Sequence, residues 1–194
     1  MSRAARLCAI VCIFVAACTT HQPANPVRPD AANPALAGRW PLLSPDSLGR
    51  SVRVKQVLHA AFDGHTVDLQ CVLTVEPQRV SIVGLNALGL RAFTIGYDGT
   101  RIDEQRAPQV PAAVGGTRLL DDVQLVYWPL PALQAVLVPA GWTVVEPFAG
   151  TRRLLRGESL VAEVHYADQD PWSGRVWLVN FENRYSLSIE TSPL

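Results

Sequence analysis

The sequence predicts an α+β domain, mainly antiparallel β, in which a long sheet curls and short helices cover its concave face. Three observations predict it. From Arg50 onward apolar residues recur at every second position through most of the chain. Turn dipeptides, Asp63-Gly64 and Asp98-Gly99, separate the alternating segments. Between Thr117 and Gly141 the period switches from two to the helical spacing.

The first four segments, SVRVKQVLHA, TVDLQCVLTVE, RVSIVGL and LRAFTIGY, read as strands separated by Asp63-Gly64, Glu76-Pro77 and the turn Asn86–Gly89. Together they predict an antiparallel meander with one buried face. In the second segment Cys71 alternates with Val67, Leu69, Leu73 and Val75, which places it on that face as a small apolar residue rather than a nucleophile. The connector APQVPAAVGG is rich in Pro and Gly. In TRLLDDVQLVYWP, Leu119, Leu120, Val123 and Tyr127 fall at helical spacing before Pro129 stops the helix. ALQAVLV is a second short apolar helix, ended by Pro139 and Gly141.

WTVVEPF, TRRLLRGE, LVAEVHYA, GRVWLVNF and YSLSIET return to strand, with Asp168–Gly174 as a turn-rich loop. About nine strands result, and an antiparallel sheet of that length tends to curl. The apolar residues suffice for a core and an internal cavity. The candidates for its wall and lid are Leu69, Cys71, Leu73, Leu120, Val123, Trp128 and Trp177, with residues 119–138 as the helical lid. Trp172, beside Pro171, is either a packed loop anchor or an interfacial residue.

The N-terminus predicts location. Arg3 and Arg6 precede the apolar run LCAIVCIFVAA, which at 11 residues is too short to span a bilayer and reads as a signal-peptide core. The run ends in Val15-Ala16-Ala17-Cys18. That ending resembles the lipobox of bacterial lipoproteins, which implies residues 1–17 as signal peptide and Cys18 as the lipidated first residue. Thr19 follows where an inner-membrane retention aspartate would stand, which by the same resemblance implies the outer membrane. Cleavage there leaves 177 residues with 17 acids and 15 bases, so no basic surplus invites nucleic acid. Residues 18–37 carry four prolines and predict a disordered tether, of roughly 25 Å root-mean-square reach for some 20 residues of coil. The folded domain is expected over 38–194. Cys71 is then the one mature thiol besides Cys18, so no internal disulfide is possible.

Three short stretches carry a further resemblance. Asn86-Ala87-Leu88-Gly89 is similar to the Asn-x-Leu-Gly turn of the LolB family, DVQLVYWPLP to that fold's helix-then-proline lid, and VWLVNFENRYSLSIET to its closing hairpin. In this order, from about Arg50 to the C-terminus, the chain resembles the LolA/LolB superfamily. Within it the chain is similar to outer-membrane lipoproteins often encoded with aryl-polyene lipid biosynthesis genes. The resemblance implies a half-open antiparallel barrel, a helical lid over a cavity for acyl chains, and a protruding Leu88 that contacts the membrane. A Leu88 folded back over its own hairpin is the alternative. The lysine-containing surface of that family is absent here, where Lys55 is the single lysine, so the resemblance carries lipid handling further than lipoprotein insertion itself.

Motifs of catalysis are missing from the sequence: no Gly-x-Ser-x-Gly, no phosphate loop, no nucleotide-binding glycine run. His59 and His65 flank Asp63-Gly64 and could meet with Asp63 or Asp68, but no metal-ligand spacing supports them, and exposed hairpin ends are the commoner reading. The expected protein is therefore a non-enzymatic lipoprotein without cofactor or metal. It would bind an acyl or polyene lipid, or a lipoprotein acyl chain, and pass it to the inner leaflet of the outer membrane, with a periplasmic carrier or other envelope proteins as partners. The alternative is a scaffold lipoprotein of an envelope lipid-biosynthesis system.

Overall fold

The structure, a computed structural model, describes residues 39–108, 110 and 115–194. Cys18 and the tether 18–37 lie outside the described residues. The chain forms β1 (Val52–Phe62), β2 (His65–Glu76), β3 (Arg79–Leu85), β4 (Arg91–Tyr97), β5 (Ile102–Arg106), α1 (Gly116–Tyr127), α2 (Leu130–Leu137), β6 (Trp142–Phe148), β7 (Thr151–Arg156), β8 (Ser159–Tyr166), β9 (Gly174–Asn180) and β10 (Tyr185–Pro193). All ten strands belong to one antiparallel sheet, in the order β5-β4-β3-β2-β1-β10-β9-β8-β7-β6. The first and last strands meet at its centre, with Leu58 opposite Ile189. The sheet does not close on itself, and β5 and β6 are its edges.

The alternation read from the sequence is realised. Val54, Gln56 and Leu58 of β1 face inward, as do Cys71, Leu73 and Val75 of β2. The dipeptide Asp63-Gly64 turns β1 into β2 with both φ angles positive, 47° and 77°, the geometry a two-residue hairpin needs. At Gly84 the Phe93 ring of the neighbouring strand lies where a Cβ would sit, so only glycine leaves room for that ring against β3.

Two features differ from the sequence reading. Strand β5, IDEQR, was not foreseen, because its single apolar residue gives no alternation; it pairs as an edge strand whose side chains are mostly exposed. Trp177, a candidate for the cavity wall, points the other way. Val176 and Leu178 occupy the buried face, and period two puts Trp177 outside, 40% exposed.

Helix α1 is more deeply enclosed than a surface helix. Every residue from Leu120 to Trp128 is buried, including Asp121, Asp122 and Gln124. Its buried polar side chains are anchored on several neighbouring elements, with Asp121 Oδ1 the one side-chain oxygen of the helix left buried without a hydrogen bond among the described residues. The Gln124 side chain bonds both backbone groups of Leu43, accepting from its N–H and donating to its carbonyl at 2.7 Å each. The Tyr127 hydroxyl lies 2.8 Å from Gln56 Nε2 and 2.9 Å from Thr191 Oγ1, on the two central strands. The buried guanidinium of Arg152 on β7 donates to the carbonyls of Leu125 (2.7 Å) and Trp128 (2.9 Å), satisfying acceptors that a helix C-terminus leaves free. At the other end the Glu104 carboxylate of β5 accepts from Gly116 N–H at 3.0 Å. A 3-10 turn, Pro45–Leu48, closes over the same helix, where Ser47 Oγ accepts from the Trp128 indole N–H at 2.9 Å. Every strand pairing and core residue described lies within 39–194, so this unit, Gly38–Leu194, carries its own core.

Candidate functional site

Strand directions bring several turns to one end of the sheet. The pairings Phe62 with His65 and Tyr185, and Asn180 with Tyr185 and Ala162, put the β1–β2 and β9–β10 turns there. The β3–β4 turn, residues 86–90, lies at the same end, since Leu85 pairs with Gln70 and Arg91.

A pocket of about 110 Å³ opens at this end, between the sheet and the first turns of α1. Its wall is apolar, formed by Leu58, Phe62 and Leu69 from the first hairpin, Phe93 from β4, Leu119 from α1 and Leu187 from β10. Its polar side is built from Arg118 and Asp122, one helical turn apart, with Asn183 and Tyr185 facing them and Asp63 at the rim.

The Tyr185 hydroxyl donates to Asp122, whose two oxygens lie 2.7 and 2.8 Å away. Burial pushes the Asp122 carboxyl up to about 7, although the Tyr185 bond and the nearby Arg39 and Arg118 charges favour ionisation. Burial and the adjacent carboxylate raise the Tyr185 phenol too, so it remains a donor. Arg39 forms an ion pair with Asp121, the residue beside Asp122. Arg118 lies 5.7 Å from the Tyr185 ring and reaches Asn183 Oδ1 only at 3.5 Å, longer than a good hydrogen bond.

Leu69 and Leu119 line the pocket, whereas Cys71, Leu73, Leu120, Val123 and Trp128 are buried core outside its lining. Trp128 is fully enclosed. Trp172 is a packed loop anchor, buried with its ring 4.3 Å from that of Tyr127. His59 pairs with Asp68 at 2.7 Å, while His65 leans on the Phe62 ring.

The turn Asn86–Gly89 settles the orientation of its leucine. Asn86 Oδ1 accepts from the backbone N–H of both Leu88 and Leu90 at 3.0 Å, and Gly89 takes a positive φ of 74°. This closed loop turns Leu88 outward, 81% exposed, with Leu90 at 61%. Phe181, in the β9–β10 turn, is exposed at the same end. The polar half of the pocket is what sequence reasoning missed. Arg118, Asp122 and Tyr185 sit in segments that read as ordinary amphipathic helix and hairpin, and no motif joins them.

A second concavity, a groove of about 490 Å³ on the outer face, is lined by Trp177, Val57 and the Arg175–Glu190 ion pair. It is wider, yet mixed in polarity and away from the apolar turns. No curated protein matches the chain. Residues 53–193, from the start of β1 to the end of β10, match a family described as a protein of unknown function, DUF3261, and the chain belongs to that family.

Proposed function

We propose that this chain is a lipid-anchored, non-catalytic protein of the outer membrane that receives the apolar end of a lipid and hands it to the inner leaflet. The observation that carries the reading is a coincidence at one end of the sheet. An apolar pocket opens at the same end as a turn whose two leucines, Leu88 and Leu90, are exposed. The anchor rests on the lipobox residues ending at Cys18.

The half-barrel of the LolA/LolB fold is supported by the reach of α1. Eight strand spacings separate β5 from β7, about 38 Å on a flat sheet, while a 12-residue helix is only about 18 Å long. Yet Glu104 of β5 and Arg152 of β7 both bond that one helix. A sheet curled around the helix satisfies both.

The pocket, about 110 Å³, falls below the ~300–1,000 Å³ common for ligand sites. It suits the end of a chain, on the order of four methylenes, contributing ~3 kcal/mol at ~0.8 each. So modest a gain, reduced further by ordering costs, permits release, which fits a carrier without an energy source. A scaffold is the second reading, favoured by the many bonds that hold α1 in place and by the open edges β5 and β6. Native mass spectrometry of protein extracted from membranes separates the two. Co-purified lipid supports the carrier, and bare protein that retains an envelope protein supports the scaffold.

A further inference from the structure

The polar side of the pocket has a composition that a purely apolar ligand does not explain. Arg118 is half-buried, and a partly desolvated guanidinium beside an apolar wall costs free energy unless its donors are used. Arg118 has five N–H donors, and among the described residues only Asn183 accepts one, at 3.5 Å. The carboxylate nearest in sequence, Asp122, is already engaged by the Tyr185 hydroxyl. Asp121, next along the helix, pairs with Arg39 instead. Asp122 feels the Arg118 charge but bonds the Tyr185 hydroxyl, so among the described residues no carboxylate is hydrogen-bonded to the guanidinium, and Asp63 at the rim is exposed to solvent. Among the described residues that line the pocket, Arg118 is the one cation.

We propose that the pocket takes an apolar molecule carrying an ionised acid group, a carboxylate or a phosphate monoester, whose oxygens Arg118 holds while the chain lies against Leu58, Leu69 and Leu187. The guanidinium fork matches a two-oxygen acceptor, and charge-assisted bonds of that kind are about twice as strong as neutral ones. Asn183, whose backbone N–H and side-chain amide bond Asn180 Oδ1, is held in place on the polar side of the pocket. This inference rests on the apolar-ligand reading and adds the chemistry of the ligand's other end.

The test uses the domain 38–194 loaded with N-phenyl-1-naphthylamine, a neutral dye, and displaces it with decanoate, decyl phosphate and decanol. The expected result is that one or both acids compete about tenfold better than the alcohol, as one charge-assisted bond would give. Which acid wins identifies the source of the anion. Arg118→Gln is expected to bring the acids down to the alcohol's level and leave decanol unchanged. Arg118→Lys should keep part of the preference. Leu69→Trp, which fills the pocket, should weaken all three. Equal competition by acids and alcohol in the native domain overturns the acid-group proposal and leaves the apolar-ligand reading standing. Failure of all three to displace the dye overturns both. Unchanged binding in Leu69→Trp would place the ligand elsewhere and also overturn the proposal.

Discussion

The Tyr185 hydroxyl donates to the buried Asp122 carboxylate across 2.7 Å, joining the start of the last strand to the middle of the first helix. The pair stands where the pocket turns from apolar to polar, and it makes the domain sensitive to pH. The folded-state pKa of Asp122, about 7, exceeds its ordinary value of 3.8, so the native protein binds this proton more tightly than the unfolded chain does. Stability from this group is therefore full at low pH and is lost as pH rises from about 4 through about 7. The full linkage is on the order of a few kcal/mol. Asp122→Asn keeps an acceptor for Tyr185 and removes the titration. Urea midpoints at pH 5 and pH 8 should differ less in the variant than in the native protein, and equal slopes would mean Asp122 stays ionised throughout.

Leu88→Glu should leave the fold intact. The side chain is 81% exposed, and the turn is held by Asn86 rather than by the leucine, so little burial is lost. The variant should melt within a few degrees of the native protein and bind ligand, yet deliver it poorly to liposomes. Undiminished delivery would remove Leu88 from the transfer step.

Arg152→Met tests the opposite kind of residue. The guanidinium is buried and holds the carbonyls ending α1 together with Glu146, 2.7 Å away on β6. Removing it strands these acceptors at a cost of about 3–5 kcal/mol, with the largest effect expected on α1 and its neighbours. Chemical denaturation gives the value. A loss below about 1 kcal/mol would show that water or another donor replaces the arginine.

Cys71 should resist a thiol reagent in the native state and react on unfolding. It is 1% exposed among Leu73, Val75 and Ile82, and burial pushes its thiol up to about 12, so almost no thiolate exists at neutral pH. Rapid native labelling would show that β2 opens on its own.

Cys18→Ser addresses the proposed anchor. The expected outcome is an unprocessed precursor that no longer fractionates with the outer membrane. Normal maturation and localisation of the variant would overturn the lipoprotein reading.

The sequence by itself determined the order of the elements, since alternation and helical spacing are properties of the chain alone. Nine of the strands, both helices and the inward side of Cys71 followed from period. The lone polar strand β5 did not, because an edge strand needs no apolar face. Period two also decides that Trp177 faces away from Val176 and Leu178, but which of the two sets is buried depends on what packs above the sheet. The site was legible only in half. Leu88 stands out between Asn86 and Gly89 because a leucine at a turn tip breaks a local rule. Asp122 and Tyr185 are 63 positions apart and break none. Only the pairing of β1 with β10, which carries Tyr185 to the sheet centre beneath α1, brings them together. The buried charge of Arg152 likewise makes sense once its neighbours are seen to be helix-end carbonyls. A charge is tolerated inside a fold by partners distant in sequence, and tertiary structure alone supplies them.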